Sequence, residues 1–387
     1  MIKHIKASNI LSFGPDGLDL ELKPLNVLIG ANGSGKSNFL DLIDLMRSTP
    51  SDLQGLIRTS GGTHEWIWKL NDIKAHPRIE LVSELRSKFV NQHLLHSISF
   101  NEANSSFFVV SEAIMDTDES GFAKGKVYYD YFGGHPMIDI KGQLQEPIYP
   151  VSENASILAQ RRDPETYLQI ASLADFYEKF RIYRDWTFGR KTNFRRPQPS
   201  DQRNDRLEPD FSNIGLFLNR LRRDPKTKRE LIKNLKYLYG GISDFEVNIV
   251  EGGYVQILFT EGDISIPASR LSDGTLRYLC LLAILLDPNP PALICLEEPE
   301  LGLHPDILPH LTDLLIEASE RTQLVITTHS DVMVDALTDH PDSILVCEKY
   351  EGQTSIHRLE SEKIKPWLED YRLGDLWSKG QIGGNRW

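Results

Sequence analysis

An α/β fold, with a mainly parallel or mixed sheet flanked by helices, is predicted by three observations. Short apolar runs alternate with helical periodicity in the last third of the chain. A glycine-rich loop, Gly30-Ala31-Asn32-Gly33-Ser34-Gly35-Lys36-Ser37, separates an apolar run from an amphipathic one. Between these regions lies a block of short alternating segments punctuated by Gly, Asn and Asp. Apolar strands that alternate with helices need a sheet covered on both faces, whereas the alternating block suits an antiparallel subdomain.

Taken in order, Ile2-Lys3-His4-Ile5-Lys6 and Leu18-Asp19-Leu20-Glu21-Leu22 have period two and read as half-buried strands. Asn26-Val27-Leu28-Ile29 is a short buried strand that ends at Gly30, and 38–46 has helical periodicity with acidic residues opposite the apolar face. Strand texture fills 78–145. Beyond Pro150 the texture turns helical, with helices expected over 167–183 and over 214–239, the latter split near Asp224-Pro225. Strands then follow at 245–249, 254–259, 292–296, 323–327 and 343–347, with helices at 275–286 and 307–320. The expected organisation is an N-terminal lobe over 1–149, a mainly helical insertion over 150–240 and a C-terminal lobe over 241–387.

Composition excludes several classes. Hydrophobic residues at 40% and charged residues at 25% are those of a folded globular chain. Residues 279–286 form the longest apolar helix candidate, and Asp287-Pro288 stops it short of the roughly 18 residues a membrane span needs. No apolar signal-peptide core follows the charged start, so a cytoplasmic protein without a membrane partner is expected. Cys280, Cys295 and Cys347 stand singly in apolar surroundings, which reads as reduced core packing rather than metal binding. The net charge of -12 speaks against a protein that coats nucleic acid. Residues 181–236 nevertheless hold 16 Lys and Arg against 7 Asp and Glu.

The glycine loop matches GxxxxGK[ST] in full. Its strand-loop-helix context lets backbone N–H groups converge on phosphate oxygens, with Lys36 on the β and γ phosphates and Ser37 on Mg²⁺. Residues 30–38, from Gly30 to Asn38, are thus the expected ATP contacts. Leu293-Ile294-Cys295-Leu296-Glu297-Glu298 supplies two carboxylates after a buried strand: Glu297 to support Mg²⁺, and Glu298 as general base for water. Such a pair by itself is equally an ordinary solvated strand end; the phosphate loop is what makes it catalytic.

With these motifs in view, the chain resembles the ABC superfamily. Leu271-Ser272-Asp273-Gly274-Thr275 is similar to its signature, Glu300-Leu301-Gly302-Leu303-His304-Pro305 to its D-loop, and Val325-Ile326-Thr327-Thr328-His329-Ser330 to its switch strand. Within the superfamily the match is to the soluble chromosome-maintenance and recombination branch. It is nearest to prokaryotic ATPases of the AAA_21 type, through Ser272-Asp273-Gly274-Thr275-Leu276-Arg277, Glu297-Glu298-Pro299-Glu300 and the ending Gly383-Gly384-Asn385-Arg386-Trp387. Glu297 stands where many relatives have Asp, and Asp273 replaces a signature glycine. The resemblance implies an ABC-type P-loop NTPase head that hydrolyses ATP to ADP and phosphate. It also implies a head-to-head homodimer with two ATP molecules sandwiched between subunits. Ser272 and Gly274 would complete the site around the other subunit's Lys36, Glu298 would hydrolyse, and His329 would sense the γ phosphate.

Transporter subunits lack so long an interval between phosphate loop and signature. Some relatives carry a Toprim nuclease domain after the head; too little sequence follows His329 for one, so any nuclease effector is expected to be a separate protein. In the insertion, Arg181, Arg184, Arg190, Lys191, Arg195, Arg196, Arg203 and Arg206 are interleaved with Tyr183, Trp186, Phe188 and Phe194. That composition suits a DNA contact, centred on Arg190, Lys191, Arg195 and Arg196, and equally suits a solvated loop paired with the acidic remainder. Two functions follow: a DNA-associated ATPase in anti-phage defence or DNA repair, or a nucleotide-switched protein scaffold. The tail over 371–387 is expected to pack on its own head or to dock a partner.

Overall fold

The computed structural model describes residues 1–70, 76–104, 106–250 and 252–384. The chain forms two compact units, one of Met1–Phe180, His340–Asp370 and Leu376–Trp387, the other of Arg181–Asp339 and Tyr371–Asp375. The segment 150–240 is thereby shared between them.

In the first unit the alternating segments form an eight-stranded sheet. Its order is Leu18–Glu21, Ile2–Ser8, Arg78–Arg86, Asn91–Ala103, Ser106–Thr117, Ala123–Phe132, His135–Ile140 and Gln143–Gln145. Every pairing is antiparallel. Ile2 and Ile5 are fully buried, as their period requires. The same unit carries Leu25–Ile29, buried along its whole length and parallel to Ile344–Tyr350, which pairs antiparallel with Gln353–Arg358. The helix Lys36–Ser48 buries Phe39, Leu40, Leu42, Ile43, Leu45 and Met46, and leaves Asp41, Asp44 and Arg47 half-buried. A buried carboxylate, Glu112, ties sheet to helix: Ser156 Oγ donates to it, as does Ile157 N at 2.9 Å, and His96 Nε2 lies 2.9 Å away.

Helical periodicity over 167–183 is realised only as Leu168–Tyr177. Arg181–Tyr183 is instead a strand of the second unit, buried at all three positions and parallel to Leu293–Glu297. A short buried apolar run has no exposed face to reveal its period, so pattern alone does not separate helix from strand there.

The second unit places Leu293–Glu297 between Arg181–Tyr183 and Gln323–Thr327, all parallel. A small antiparallel sheet joins Gln198–Pro199, Tyr254–Glu261, Ile242–Val250 and Ile264–Pro267. The expected break near Asp224-Pro225 separates Ile214–Leu221 from Pro225–Leu238, where the Asp224 carboxylate accepts from Lys226 N and Thr227 N. The helix Asp273–Leu285 is buried from Thr275 to its end. Just beyond, Asp287 is 3% exposed, an acid that the negative end of a helix disfavours. Arg220 compensates with a bidentate pair, 3.1 and 2.8 Å from its two oxygens. All three cysteines are buried and free of disulfides. Among the described residues no helix is long and apolar enough to cross a membrane.

Arg220→Ala leaves the Asp287 carboxylate buried without its counter-ion and should cost about 3 kcal/mol. Urea unfolding should show it as a lower midpoint, and Asp287→Asn should cost less than Arg220→Ala.

Candidate nucleotide site

The phosphate loop leaves its buried strand at Gly30 and re-enters regular structure at Gly35, the N-cap of Lys36–Ser48, in a left-handed conformation with no side-chain cap. At φ +106 and against the Thr354 side chain, position 35 has room for glycine alone. Gly30 is held as closely, since a Cβ there would meet the Cys347 carbonyl oxygen. Thr354 fixes the loop from the strand Gln353–Arg358: its Oγ1 donates to Ser34 O at 2.8 Å and lies 2.7 Å from Ser12 Oγ. Lys36 is 6% exposed, and its ammonium donates to Gly30 O at 2.8 Å and Ala31 O at 3.1 Å. Asn32, Gly33 and Ser37 face solvent, while Ala31 and Asn38 are half-buried. The arrangement is a concave run of backbone around a buried cation at a helix N-terminus, suited to an anion. Burial pushes the Cys347 thiol behind it up to about 12, leaving it neutral. The tail follows the same unit: Gly384 N donates to Glu348 Oε1 at 3.0 Å, with Trp377 and Ile382 buried. Asn385, Arg386 and Trp387 lie outside the described residues.

In the second unit the acidic pair sits at the end of the parallel strands. Glu298 has φ +46, a left-handed conformation that costs a non-glycine residue about 1 kcal/mol or more. It is held there by its N–H, which donates to Thr327 O at 3.0 Å, and by its carbonyl, which accepts from Arg277 Nη1 at 3.4 Å. Its carboxylate reaches His329, with Oε1 3.4 Å from Nε2. Glu297 turns to Arg184 at 3.7 Å, and its carbonyl accepts from Trp186 Nε1 at 2.7 Å. Glu297, Glu298 and His329 are thus brought together, each partly open to solvent.

Two further residues shape this end, each quoted in the sequence only as part of a motif and given no role of its own. Glu300 is buried and accepts from Thr328 Oγ1 at 2.7 Å and His329 N at 2.8 Å. Burial raises its carboxyl above the usual range. Arg277, 8% exposed, lies over the Trp186 ring at 5.2 Å and donates to Trp186 O at 3.3 Å. Burial lowers the basicity of its guanidinium. The signal for both was present as the third acid of Glu297-Glu298-Pro299-Glu300 and the arginine one turn into the signature helix.

The signature turn stands beside the D-loop. Ser272 caps the helix Asp273–Leu285, its Oγ accepting from Thr275 N at 3.1 Å. A Cβ at Gly274 would come within 2.9 Å of Gly302 O, so the approach requires glycine. Ser272 and Asp273 are exposed and Gly274 is half-buried.

The basic segment differs from its expected form. Tyr183, Phe188 and Phe194 are buried, and with Trp186 and Phe211 they form one aromatic cluster, with ring centroids 5.5 to 6.4 Å apart. They build core rather than a platform for bases. Arg181 is buried, Arg203 pairs with Asp205 and Arg206 with Glu208. Arg195 is only 9% exposed and spends its donors on backbone carbonyls and Asp273. Arg190, Lys191 and Arg196 remain at the surface.

Solved structures share this fold. One, described as the Smc head bound to the C-winged helix domain of ScpA, aligns at TM-score 0.60 and 15% identity over 94% of this chain and 99% of that one. An Smc head domain with an extended coiled coil, bound to the C-terminal domain of ScpA and derived from Pyrococcus furiosus, aligns at 0.53 and 14%, over 95% and 98%. An Smc head with a coiled coil and joint from Pyrococcus yayanosii aligns at 0.50 and 10%, over 95% and 99%. No curated protein matches in sequence. The AAA_21 family model, described as an AAA domain, putative AbiEii toxin, Type IV TA system, matches residues 25–91 and 161–335. That is more than half of the chain, which therefore belongs to the AAA_21 family and has the fold of an ABC-type, SMC-like P-loop ATPase head.

Proposed function

We propose that this chain binds Mg-ATP at Gly30 to Asn38, hydrolyses it, and works as a head-to-head homodimer whose nucleotide state controls a DNA-associated process. The observation that carries the hydrolytic part is Glu298, held in a strained conformation with its carboxylate against His329. Strain of this kind persists where the surroundings over-determine it, as they do at working sites.

Lys36 binds the β and γ phosphates, and the first turn of its helix adds N–H groups and dipole. Ser37 and Glu297 would hold Mg²⁺, the solvent-facing hydroxyl and the partly open carboxylate being oxygen donors of the kind a hard cation takes, and the ion would supply neutralisation of the charge on the β and γ phosphates. Glu298 accepts the proton of the attacking water, and His329 orients Glu298 and senses the γ phosphate. Ser272 and Gly274, at an exposed helix N-terminus, cover the γ phosphate held by a second copy. The process the chain controls is carried out by an effector, a nuclease for example, and the setting is anti-phage defence or DNA repair. DNA association rests on Arg190, Lys191 and Arg196. The packing of the aromatics into the core favours, as a second reading, a nucleotide-switched scaffold that contacts protein instead.

Glu298→Gln should lower turnover by about 100-fold or more and trap an ATP-dependent dimer. Light scattering with and without Mg-ATP would show the doubled mass, and adding Lys36→Ala should abolish it. A crosslinked and native mass indifferent to ATP sinks the sandwich.

Replacing Arg190, Lys191 and Arg196 together with Ala should weaken DNA binding and flatten the log–log salt slope by about 2 to 3. Unchanged affinity and slope, or turnover blind to DNA, would move the reading to the scaffold.

A further inference from the structure

Asp273 is an acid where the resemblance expects glycine, and it occupies the first turn of the helix that would cover a phosphate. Its side chain is 70% exposed. A carboxylate so placed stabilises its own helix, yet it repels a phosphate that must approach the same N–H groups. The structure answers this with Arg195, which arrives from 78 residues away in sequence and pairs with Asp273. The same guanidinium group donates from Nη1 to Leu271 O at 2.8 Å and to Ser269 O at 2.9 Å, and from Nε to Phe188 O at 2.6 Å. One planar fork therefore fixes both carbonyls that lead into the signature turn and neutralises the acid that opens it. A lysine, with a single point charge on a flexible stem, cannot meet these directions together. The loop that carries Arg195 is anchored in the core, with Phe188 and Phe194 buried and their rings 5.9 Å apart.

We infer that Arg195 is a positioning residue for the ATP site formed across the dimer: it cancels the Asp273 charge facing the second copy's γ phosphate and holds the signature turn in its phosphate-covering shape. The inference rests on the sandwich reading. It assigns the arginine-rich loop a duty toward ATP that is independent of any DNA contact.

The two parts of the claim are separable by a double-mutant cycle on ATP-dependent dimerisation in the Glu298→Gln protein. Arg195→Ala and Arg195→Lys should each weaken dimer formation in Mg-ATP by about tenfold or more, and Asp273→Gly alone should change it less than about threefold. Combining Arg195→Ala with Asp273→Gly should recover part of the Arg195→Ala loss, to about the level of Arg195→Lys, because the charge that needed cancelling is gone while the carbonyls of the turn still lack their donor. Binding of Mg-ATP to the single subunit, measured by equilibrium dialysis below the dimerisation threshold, should be unaffected, since it reports the Lys36 loop. Thermal melting of Arg195→Lys and Asp273→Gly checks that the fold persists. An equal loss from Arg195→Ala with and without Asp273→Gly overturns the charge role. A parent that dimerises alongside an Arg195→Ala variant that does so equally overturns the inference alone, whereas a parent that stays monomeric in Mg-ATP overturns the sandwich reading and this one with it.

Discussion

The Arg277 guanidinium is the interaction on which the acidic strand end depends. It enters from the signature helix, stacks over Trp186 and reaches the carbonyls of Trp186 and Glu298. A buried cation is costly unless its donors are occupied and acids lie near, and here Glu298 and Glu300 both oppose the loss of its charge. In return it pins the peptide that must hold Glu298 at positive φ. Signature helix, aromatic cluster and the Glu298 peptide therefore form one packed assembly within the second unit, and any change at Trp186 or Arg277 is transmitted to Glu298 through two hydrogen bonds.

What was legible in the sequence was local. The glycine-rich loop, the acidic pair and the segment ending at His329 are contiguous strings whose local shape depends on neighbours a few residues away, and the helix break at Asp224-Pro225 is a backbone property of two residues. What was not legible depends on partners distant in sequence. Composition cannot say whether Tyr183, Phe188 and Phe194 stack on bases or on one another, because either use needs the same aromatic faces. Arg195 looked like its neighbours Arg196 and Arg190 until the Ser269–Asp273 turn was seen folded around it. Glu300 is a third acid in an acidic run, and only burial behind Thr328 and His329 sets it apart.

The likeness to Smc heads, at 14 to 15% identity, shows how little of the architecture needs particular side chains. Buried strands ask only for apolar residues, so the core can drift widely while volume and pattern persist. Positions under geometric demand are fewer: Gly35 against Thr354, Gly274 against Gly302, and the carboxylates that close the strand. The basic segment belongs to neither class, since its core half builds the second unit and its other half, with Arg190, Lys191 and Arg196, lies at the surface.

The left-handed backbone at Glu298 sets conformational ease against chemistry at one residue. Asparagine and especially glycine adopt φ +46 with less strain than glutamate. Under neutral drift the easiest gain in stability at this position is therefore also the loss of the proposed general base. Duplicated copies released from selection would be expected to persist as well-folded heads that retain nucleotide without consuming it, and a glycine or asparagine at this position would be the mark by which such silent paralogues could be told from working ones.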